Sequence, residues 1–248
     1  MSITAIILCK NEEQNIADCL RSLKFCNEIV VVDDKSFDNT AKIAKSFGAK
    51  VYERELGEDF SAQRNFGLKK ATNEWVLFID ADERVTEKLA SEIAKIIKQK
   101  SDFSGYYIKR QDVIWRKTLK HGEFGSIKLL RLARVDGGKW VRKVHEYWVI
   151  RGKVGSLENA LIHYPHSTLR EFISDVNWQS GLHAEANARE GKRSNLFKIV
   201  FYPKLKFLNN WITKKGFLDG TEGFVAALIM SFHSFLAWSK LWIKQREK

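Results

Sequence analysis

The chain has 248 residues, of which 44% are hydrophobic, so it can bury one large core, with or without an appendage. Its two prolines and 15 glycines exclude a collagen-like or low-complexity protein. The net charge of +12 is unevenly distributed. Residues 1–100 hold 16 Lys and Arg against 17 Asp and Glu, whereas residues 101–248 hold 26 against 13. The positive excess in the second part predicts an anionic partner, such as nucleic acid, anionic lipid or a phosphorylated substrate.

The cysteines are Cys9, Cys19 and Cys26. Their number is odd and their spacing matches no zinc site, so we expect free thiols in a reducing cytoplasm. The N-terminal stretch MSITAIILCKNEE lacks the basic lead and the small-residue cleavage site of a signal peptide. We expect it to form a first strand.

The first hundred residues alternate between apolar runs of strand length and segments with helical spacing. Strands are predicted over residues 3–9, 28–34, 49–55 and 74–80, and helices over residues 15–23, 36–48, 61–72 and 86–99. The helix over 36–48 has Ser36 or Asp38 as a candidate N-cap and Gly48 as its terminator. This alternation, with strands that are apolar throughout, is typical of an α/β fold with a parallel sheet covered on both faces.

After residue 100 the pattern changes. Residues 103–115 indicate a pair of strands, residues 121–150 mix basic with aromatic side chains, and the chain from residue 168 onward has helical spacing. Residues 224–243 are the most apolar stretch and have the length of a membrane span. This stretch is interrupted by His233, Lys240 and several serines, and basic residues flank it: Lys214, Lys215, Lys244 and Arg246.

Acidic residues follow two of the predicted strands. Asp33 and Asp34 end the second strand, and Asp80 and Asp82 follow the fourth. In parallel sheets, ligands bind outside the carboxyl ends of the strands. An Asp-x-Asp pair at that edge can hold Mg²⁺ or Mn²⁺, which in turn holds a diphosphate. Alternatively, the acids can cap the helix that begins near Thr86, and the spacing alone leaves both possibilities open.

Taken in series, these segments resemble family 2 glycosyltransferases with the GT-A fold. Such enzymes have a first strand leading to an Asn-Glu-Glu turn, then a DDxSxDxT segment, an RNxG helix and a DxD metal motif. All four occur here in that order over residues 3–85. The resemblance implies a Rossmann-like, mostly parallel sheet with helices on both faces, plus a C-terminal helical extension. It also implies transfer of a sugar from a nucleotide-sugar donor.

The resemblance assigns a role to each matching residue. Asp34 would accept a hydrogen bond from the donor base, and Arg64 would contact the diphosphate. Asp82 would be the main ligand of Mg²⁺ or Mn²⁺, with Asp80 on the ribose, on the metal or on metal-bound water. The base and ribose would be bordered by Cys9, Asn11 and Glu12. The family usually has glycine where Lys35 stands.

Many family members take their base from a Glu-Asp pair followed by a Gln-x-x-Arg-Trp helix, and neither is found here. Instead, WVRKVHEYW at 140–148 resembles the signature of lipopolysaccharide core β-glucosyltransferases of the WaaE/KdtX type, as does GFLDG at 216–220. Glu146 is then the predicted base for the acceptor hydroxyl, and His145 a third metal or phosphate contact. The alternative is a strand in which these two side chains face opposite ways. The other histidines of interest are interpreted as ordinary structural residues without a predicted partner: His121, His163, His166 and His183.

These observations lead to one main hypothesis. The chain would be a metal-dependent, inverting glycosyltransferase that moves a hexose, glucose from UDP-glucose, to the inner-core heptose of lipopolysaccharide. Its partners would be a UDP-sugar, the phosphorylated core acceptor and an anionic membrane surface, and not nucleic acid. We expect a cytoplasmic protein, peripheral on the inner membrane of a Gram-negative bacterium.

The same hypothesis divides the chain by role. Residues 1–105 would form the nucleotide-sugar-binding half of a GT-A domain, and residues 106–167 its acceptor and catalytic half. Residues 168–248 would form a basic, helical, membrane-proximal extension. Two alternatives remain open: transfer to another glycan, a polyprenyl-linked sugar or a protein side chain, and a non-catalytic sugar-nucleotide-binding module.

Overall fold

The computed structural model describes residues 2–57, 59–99, 102–125, 127–143, 146–166 and 168–247. The strands are β1 (Ile3–Cys9), β2 (Glu28–Asp33), β3 (Lys50–Glu53), β4 (Trp75–Asp80), β5 (Glu83–Val85), β6 (Phe103–Ile114), β7 (Lys117–Thr118), β8 (Ile127–Arg134), β9 (Gly138–Val141), β10 (Tyr147–Ile150) and β11 (Lys153–His163). The helices are α1 (Ile16–Ser22), α2 (Thr40–Ser46), α3 (Phe60–Lys70), α4 (Glu87–Lys98), α5 (Leu169–Arg189), α6 (Leu196–Leu208) and α7 (Gly220–Arg246). A π-helical turn, Asn209–Thr213, and a 3₁₀ turn, Gly216–Asp219, lie between α6 and α7.

The chain forms two compact units. The first comprises Met1–Arg110 with Lys128–His163, and the second comprises Gln111–Ile127 with Tyr164–Lys248. The first unit contains most of the sheet and all four N-terminal motifs, and the second contains the three C-terminal helices. The predicted boundaries at residues 105 and 167 were drawn by function, and that division by role stays a prediction.

The large sheet has the strand order β3-β2-β1-β4-β8-β6-β11-β5. The first four strands run parallel, whereas β8 is antiparallel to β4 and β5 is antiparallel to β11. The register pairs Cys9 of β1 with Asp33 of β2, and Leu8 of β1 with Asp80 of β4. The carboxyl ends of β2, β1 and β4 therefore meet at one edge, which is where ligands bind in such sheets.

Successive residues of the central strands pack into different layers, because side chains alternate between the two faces of a strand. Ile7 and Ile79 are fully buried in a cluster with α1, α2 and α4. Ile6 and Phe78 are fully buried in a second cluster with α3 and the β9–β10 hairpin. The predicted fold class is confirmed: a mostly parallel sheet covered on both faces, followed by C-terminal helices.

Helix α4 shows that the two motif acids are not needed as helix caps. The Thr86 hydroxyl oxygen accepts a hydrogen bond from the Leu89 backbone N–H at 3.1 Å and is itself the N-cap. Leu89, Ile93 and Ile97 form the buried face. The alternative in which Asp80 and Asp82 cap this helix is therefore wrong.

Two predicted elements differ from the structure. Helix α2 begins at Thr40, and its N-cap position, Asn39, makes no side-chain cap bond. The predicted caps Ser36 and Asp38 accept hydrogen bonds from another loop. Asp38 also accepts from the Thr40 N–H at 2.9 Å, at the first residue of α2. Residues 103–114 form a single long strand, β6, rather than a pair.

In the second unit, the GFLDG segment has a structural role. The Asp219 carboxylate accepts hydrogen bonds from the backbone N–H groups of Lys120 and His121, at 2.9 and 2.7 Å. It also contacts His121 Nδ1 at 2.9 Å. Gly220 follows with a φ of 66°, in the left-handed region that favours glycine. The motif thus fixes the loop at residues 120–121 to the start of α7.

Helix α7 is the longest helix and packs on α5 and α6 through a face of small residues: Gly223, Ala226, Ala227, Ser231 and Ala237. In the described part of the chain, one helical segment, Gly216–Arg246, is long and apolar enough to cross a membrane. Length and composition alone do not separate a span from a packed helix.

Candidate active site

Two loops at the carboxyl edge of the sheet are joined to each other by hydrogen bonds. The Asn11 backbone N–H donates to Ser36 Oγ at 2.8 Å, and its side-chain oxygen accepts from the Phe37 N–H at 3.0 Å. The Glu12 N–H donates to Thr40 Oγ1 at 2.7 Å. Asn11 and Glu12, predicted to border the donor, therefore also hold the edge in shape.

Asp33 and Asp34 close the turn after β2. Asp33 is buried and accepts from the Ser36 backbone and hydroxyl groups. Lys35, which follows Asp34, has a φ of 49°. This lies in the left-handed region that favours glycine, which explains why glycine is usual at this position in the family. The Asp34 carboxylate accepts from Lys10 Nζ at 2.9 Å and from the Leu56 N–H at 2.8 Å. Its predicted contact with the donor base stays a prediction.

Cys9 lies at the end of β1 with 7% of its surface exposed. Burial raises the pKa of its thiol, and the neighbouring carboxylate of Asp33 adds to this. Cys9, Cys19 and Cys26 are all free thiols, as predicted. A buried thiol with a raised pKa is a packing group rather than a nucleophile.

Asp80 lies between two buried arginines. Arg131 donates to both of its carboxylate oxygens, and Arg64 Nη2 donates to Oδ1 at 3.3 Å. Arg131 also donates to Oε1 of the fully buried Glu83 at 3.0 Å. Burial by itself would raise the pKa of Asp80, but the charges of Arg131 and Arg64 outweigh it and hold that pKa well below its usual range. Asp80 is therefore ionised at neutral pH.

Arg64 and Glu146 are in direct contact, although 82 positions separate them in the sequence. Arg64 Nε donates to Glu146 Oε1 at 2.8 Å, and both side chains are largely buried. The Arg64 guanidinium lies 4.7 Å from the Trp140 ring centroid. Its Nη1 is buried without a hydrogen-bond partner among the described residues. An unpaired buried donor on an arginine that faces two carboxylates is a place for an anionic ligand.

Asn65, the next residue of the same motif, forms hydrogen bonds with the β9–β10 hairpin, and Glu146 lies in the loop between these two strands. Its side-chain amide donates to the Trp140 carbonyl at 2.8 Å and accepts from the Trp140 N–H at 3.0 Å. Trp140 stacks on Trp148 across the β9–β10 hairpin, with ring centroids 5.3 Å apart. The strands on either side of Glu146, β9 and β10, are thus held against helix α3 and the sheet.

Asp82 contacts His163, a residue that no sequence motif singles out. His163 Nε2 lies 3.1 Å from Asp82 Oδ2, and 81 positions separate them in the sequence. His163 ends β11, whose neighbour β5 begins at Glu83. The sequence identifies no partner for His163, His121 or His166, whereas the structure places His121 Nδ1 2.9 Å from Asp219 and His166 Nδ1 3.2 Å from Asp175. The interpretation of His121 and His166 as ordinary structural residues stays a prediction.

Glu12 is electrostatically linked to the same edge. The pKa of Glu12 is raised to about 7, mainly by burial and additionally by the negative charges of Asp82 and Asp80, while a hydrogen bond from Asn15 acts in the opposite direction. A positive charge that arrived near Asp80 and Asp82 would therefore favour ionisation of Glu12.

The residues present fit a divalent cation that binds together with a diphosphate. Within the described ranges, which exclude the predicted ligand His145, no group of three His, Cys, Asp or Glu side chains is arranged to hold a metal. Asp82 and His163 supply a carboxylate and an imidazole, while both oxygens of Asp80 are engaged by arginines. Mg²⁺ is commonly bound through one or two carboxylates, waters and substrate phosphates, so two protein ligands are compatible with it.

Sequence reasoning therefore missed two residues at this edge, Arg131 and His163. Both lie outside the N-terminal motifs, on β8 and at the end of β11. A signal existed for Arg131, because it is a charged residue with apolar neighbours on both sides within the strand segment LLRLA. His163 had no comparable local signal.

Comparisons with known proteins identify the family. The sequence model of "Glycosyl transferase family 2" matches residues 4–154. The lipopolysaccharide core biosynthesis glycosyltransferase LpsC of Rhizobium meliloti (strain 1021) is 28% identical over 249 residues, covering 98% of this chain and 92% of LpsC. An uncharacterized glycosyltransferase of Rickettsia typhi is 30% identical over 254 residues, covering 96% of this chain and 86% of its own length.

Among solved structures, S. aureus TarS residues 1–349 superposes with a TM-score of 0.50 at 18% identity, covering 100% of this chain and 92% of that one. The same TarS fragment has been solved in complex with UDP. The fold and the carboxyl-edge acids together define a glycosyltransferase with the GT-A fold. The chain belongs to glycosyl transferase family 2.

Proposed function

We propose that this chain is a metal-dependent, inverting glycosyltransferase that transfers glucose from UDP-glucose to the inner-core heptose of lipopolysaccharide. The observation that carries the proposal is the cluster of Arg64, Asp80 and Glu146 beside the Asp82–His163 pair. A lipopolysaccharide acceptor is supported by the likeness to LpsC along 98% of the chain. A UDP-sugar donor is supported by the UDP complex of TarS.

In this proposal the chain's own residues bind and orient the donor. Asp34 receives the base, Asp80 the ribose, and Arg64 turns its unpaired Nη1 to the diphosphate. Asp82 and His163 would hold Mg²⁺ or Mn²⁺, which would supply Lewis-acid stabilisation of the charge on the leaving diphosphate. Arg64 adds a second positive group at the same place, where electrostatic stabilisation is worth several kcal/mol.

Glu146 completes the reaction as the general base. The acceptor oxygen forms a bond to the anomeric carbon, and the bond from that carbon to the diphosphate oxygen breaks with its electron pair going to the diphosphate. The acceptor hydroxyl proton passes to the Glu146 carboxylate. Attack opposite the leaving group inverts the anomeric configuration. Glu146 is paired with Arg64, so an Arg64 that moves to the diphosphate frees a Glu146 oxygen for that proton.

The decisive experiment measures release of nucleotide diphosphate from a panel of nucleotide sugars, with Mg²⁺, Mn²⁺ or EDTA, and with or without heptose-terminated core lipopolysaccharide. We expect UDP release from UDP-glucose that requires both the metal and the acceptor. Asp82→Asn should lower turnover by at least about 100-fold, the scale of a lost electrostatic contact to the leaving group. The matched control is Asp18→Asn on α1, whose exposed carboxylate pairs only locally with Arg21 among the described contacts.

Full activity in EDTA would remove metal dependence from the proposal. Transfer to a polyprenyl-linked sugar or a protein, with none to the heptose core, would replace the acceptor. Donor binding without any turnover would favour a non-catalytic binding module.

A further inference from the structure

Helix α6 and the π-helical turn after it carry an apolar face that is open to solvent. We call it the α6 apolar face, and it consists of Phe197, Phe201, Leu205, Leu208 and Ile212. Their spacing of four, four, three and four places them on one side of the helix. Each is between 46% and 58% exposed. Aligned large apolar side chains at such exposure mark an interaction surface, unlike apolar residues scattered singly.

The opposite side of α6 is already used for packing within the second unit. Pro203 is buried, and its carbonyl accepts a hydrogen bond from Ser231 Oγ of α7 at 2.8 Å. The Tyr202 ring packs edge-on against Trp238 of α7, with centroids 5.2 Å apart. The α6 apolar face is therefore a second apolar side and not the one that forms the core.

The chain segment around this face is basic, although Glu123 from another segment pairs with Lys206 at 2.8 Å. Residues 191–218 contain no Asp or Glu, and they contain seven basic residues: Lys192, Arg193, Lys198, Lys204, Lys206, Lys214 and Lys215. Lys204 lies within the face, with its ammonium 5.5 Å from the Phe201 ring centroid. Lys214 and Lys215 are exposed just beyond its far end. A surface that combines Phe, Leu and Lys can place rings among acyl chains and ammonium groups at phosphates.

We propose that the α6 apolar face docks on a lipid bilayer that contains anionic headgroups, with α6 lying in the plane of the interface. A protein partner is a poorer match, because the cores of protein interfaces are depleted in lysine. A span by α6 is excluded by Lys198, Lys204 and Lys206 inside it. Each basic residue near an anionic surface contributes about 1 kcal/mol, so a few lysines with this apolar face suffice for reversible attachment.

This assignment differs from the one that hydropathy favours, which selects α7. Lys240 of α7 donates to Asn177 Oδ1 at 2.8 Å and to Ser180 Oγ at 2.9 Å on α5. If α7 crossed a membrane, it would separate from α5. Lys240 would then lose these partners and lie unpaired in hydrocarbon. We therefore assign the buried side of α7 as the support of α6, whereas the outer side of α7 exposes further apolar residues, Phe224, Leu228, Phe232 and Phe235. The docking surface adds to the proposed transfer reaction and does not depend on it.

The test is sedimentation with phosphatidylcholine vesicles, with and without phosphatidylglycerol, at low and high salt. We expect the wild type to bind when phosphatidylglycerol is present and to bind less at high salt. Phe201→Glu combined with Leu205→Glu should weaken binding at least about tenfold, through lost apolar burial and added repulsion. The matched control is Leu169→Glu combined with Ile173→Glu, which makes the same changes at the same spacing on exposed positions of α5. The control pair should bind like the wild type.

Circular dichroism and thermal unfolding check that both double variants are folded. Equal binding by the α6 pair and the wild type would overturn the proposal, as would equal weakening by the α5 pair. Resistance of the native protein to carbonate extraction would indicate a span instead. A wild-type dimer that the α6 pair converts to monomer would assign the face to a second copy. UDP-glucose hydrolysis without vesicles is measured separately, so a failure of the proposed transfer is distinguished from a failure of docking.

Discussion

Arg64 connects two carboxylates with different proposed tasks, Asp80 on the donor side and Glu146 on the acceptor side. Its Nε and Nη2 are engaged by these acids, while its Nη1 is buried and has no partner among the described residues. A guanidinium has a fixed fork of donors, so a move toward a diphosphate alters both ion pairs together. In the proposed reaction, binding of the donor and release of the Glu146 carboxylate from Arg64 are therefore coupled through the Arg64 side chain.

This coupling gives a prediction that compares two substitutions of Glu146. Glu146→Gln keeps an oxygen that can accept from Arg64 Nε but cannot take the acceptor proton. We expect it to lower kcat by about 100-fold or more with little change in donor KM. Glu146→Ala also releases Arg64, so it should change donor KM as well as kcat. Steady-state kinetics with varied donor checks both, and a normal kcat in Glu146→Gln would return Glu146 to a structural role.

At the scale of elements, helix α3 shows how one motif serves three purposes. Arg64 faces the carboxyl edge of the sheet, Asn65 forms a hydrogen bond with the β9–β10 hairpin, and Gly67 lets the helix approach the sheet. A Cβ at Gly67 would lie 2.6 Å from Ile6 Cγ2 and 3.2 Å from Val32 Cγ2. The RNxG pattern is thus explained by contacts in three directions from residues within about one turn of a helix.

Gly67→Ala should therefore destabilise the protein even though alanine is the better helix former. The propensity gain is about 1 kcal/mol, whereas overpacking a buried site costs about 1–3 kcal/mol. We expect a net loss of about 1 kcal/mol. Gly181→Ala in α5 is the matched control, because the nearest atom to its Cβ is Lys240 Nζ at 3.8 Å. That variant should gain up to about 1 kcal/mol, and urea unfolding of both measures the difference in sign.

Glu28 joins four elements at the end of the sheet opposite the ligand edge. Its carboxylate accepts from Thr4 Oγ1 at 2.6 Å, from the Thr72 N–H and hydroxyl at 2.9 Å, and from Lys50 Nζ at 2.6 Å. Burial raises the pKa of Glu28, but these donors outweigh it and lower the pKa to about 2. Since an unfolded glutamate has a pKa of about 4.3, the ionised form stabilises the fold. That stability is present above pH 4.3 and is lost as the pH falls toward 2.

We expect Glu28→Gln to lower the free energy of unfolding by about 2 kcal/mol at pH 7, a value reduced for solvent screening at the exposed Lys50. At pH 3 the gap between wild type and variant should shrink to less than half, because wild-type Glu28 is then losing its differential ionisation. Glu55→Gln, at an exposed ion pair with Lys35, is the control and should show no measurable gap. A gap that stayed constant between pH 7 and pH 3 would contradict a role for the ionised carboxylate.

At the scale of the whole molecule, chemistry and attachment are assigned to different compact units. The proposed donor site lies in the unit of Met1–Arg110 with Lys128–His163, and the α6 apolar face lies in the other unit. Ligand binding to the first unit should therefore be measurable without any membrane. Mass action adds about 2.7 kcal/mol to the stability of a folded state when the ligand is at 100 times its Kd.

UDP with Mg²⁺ should accordingly raise the Tm of the transition that includes the donor site by roughly 5–10 °C, given about 2–4 °C per kcal/mol for a unit of this size. Replacing Mg²⁺ with EDTA should remove most of the shift, because two protein ligands hold the ion only together with the diphosphate. Asp82→Asn should show the same small shift with or without Mg²⁺, whereas Asp18→Asn should match the wild type. An undiminished shift in EDTA would mean that UDP binds without a metal.

The sequence by itself determined the alternation of strands and helices, the acids at the strand ends, the free cysteines and the family. These features are local: apolar periodicity, strand length and motif order are all set within short windows of residues. The same local reasoning offered Ser36 or Asp38 as the cap of α2, where the structure uses Ser36 to join two loops and Asp38 both to join them and to accept from the first N–H of the helix. Capping preference and loop pairing use the same side-chain oxygens, and only the approach of a distant segment decides between them.

The tertiary structure alone decided which charges meet. Arg131 reaches Asp80 from 51 positions away, and His163 reaches Asp82 from 81 positions away. Strand order places β8 beside β4 and β11 beside β5, and such neighbours leave no periodicity in the sequence. The exposed side of α6 was equally hidden, because composition shows that a helix is apolar but only packing shows which apolar side remains exposed to solvent.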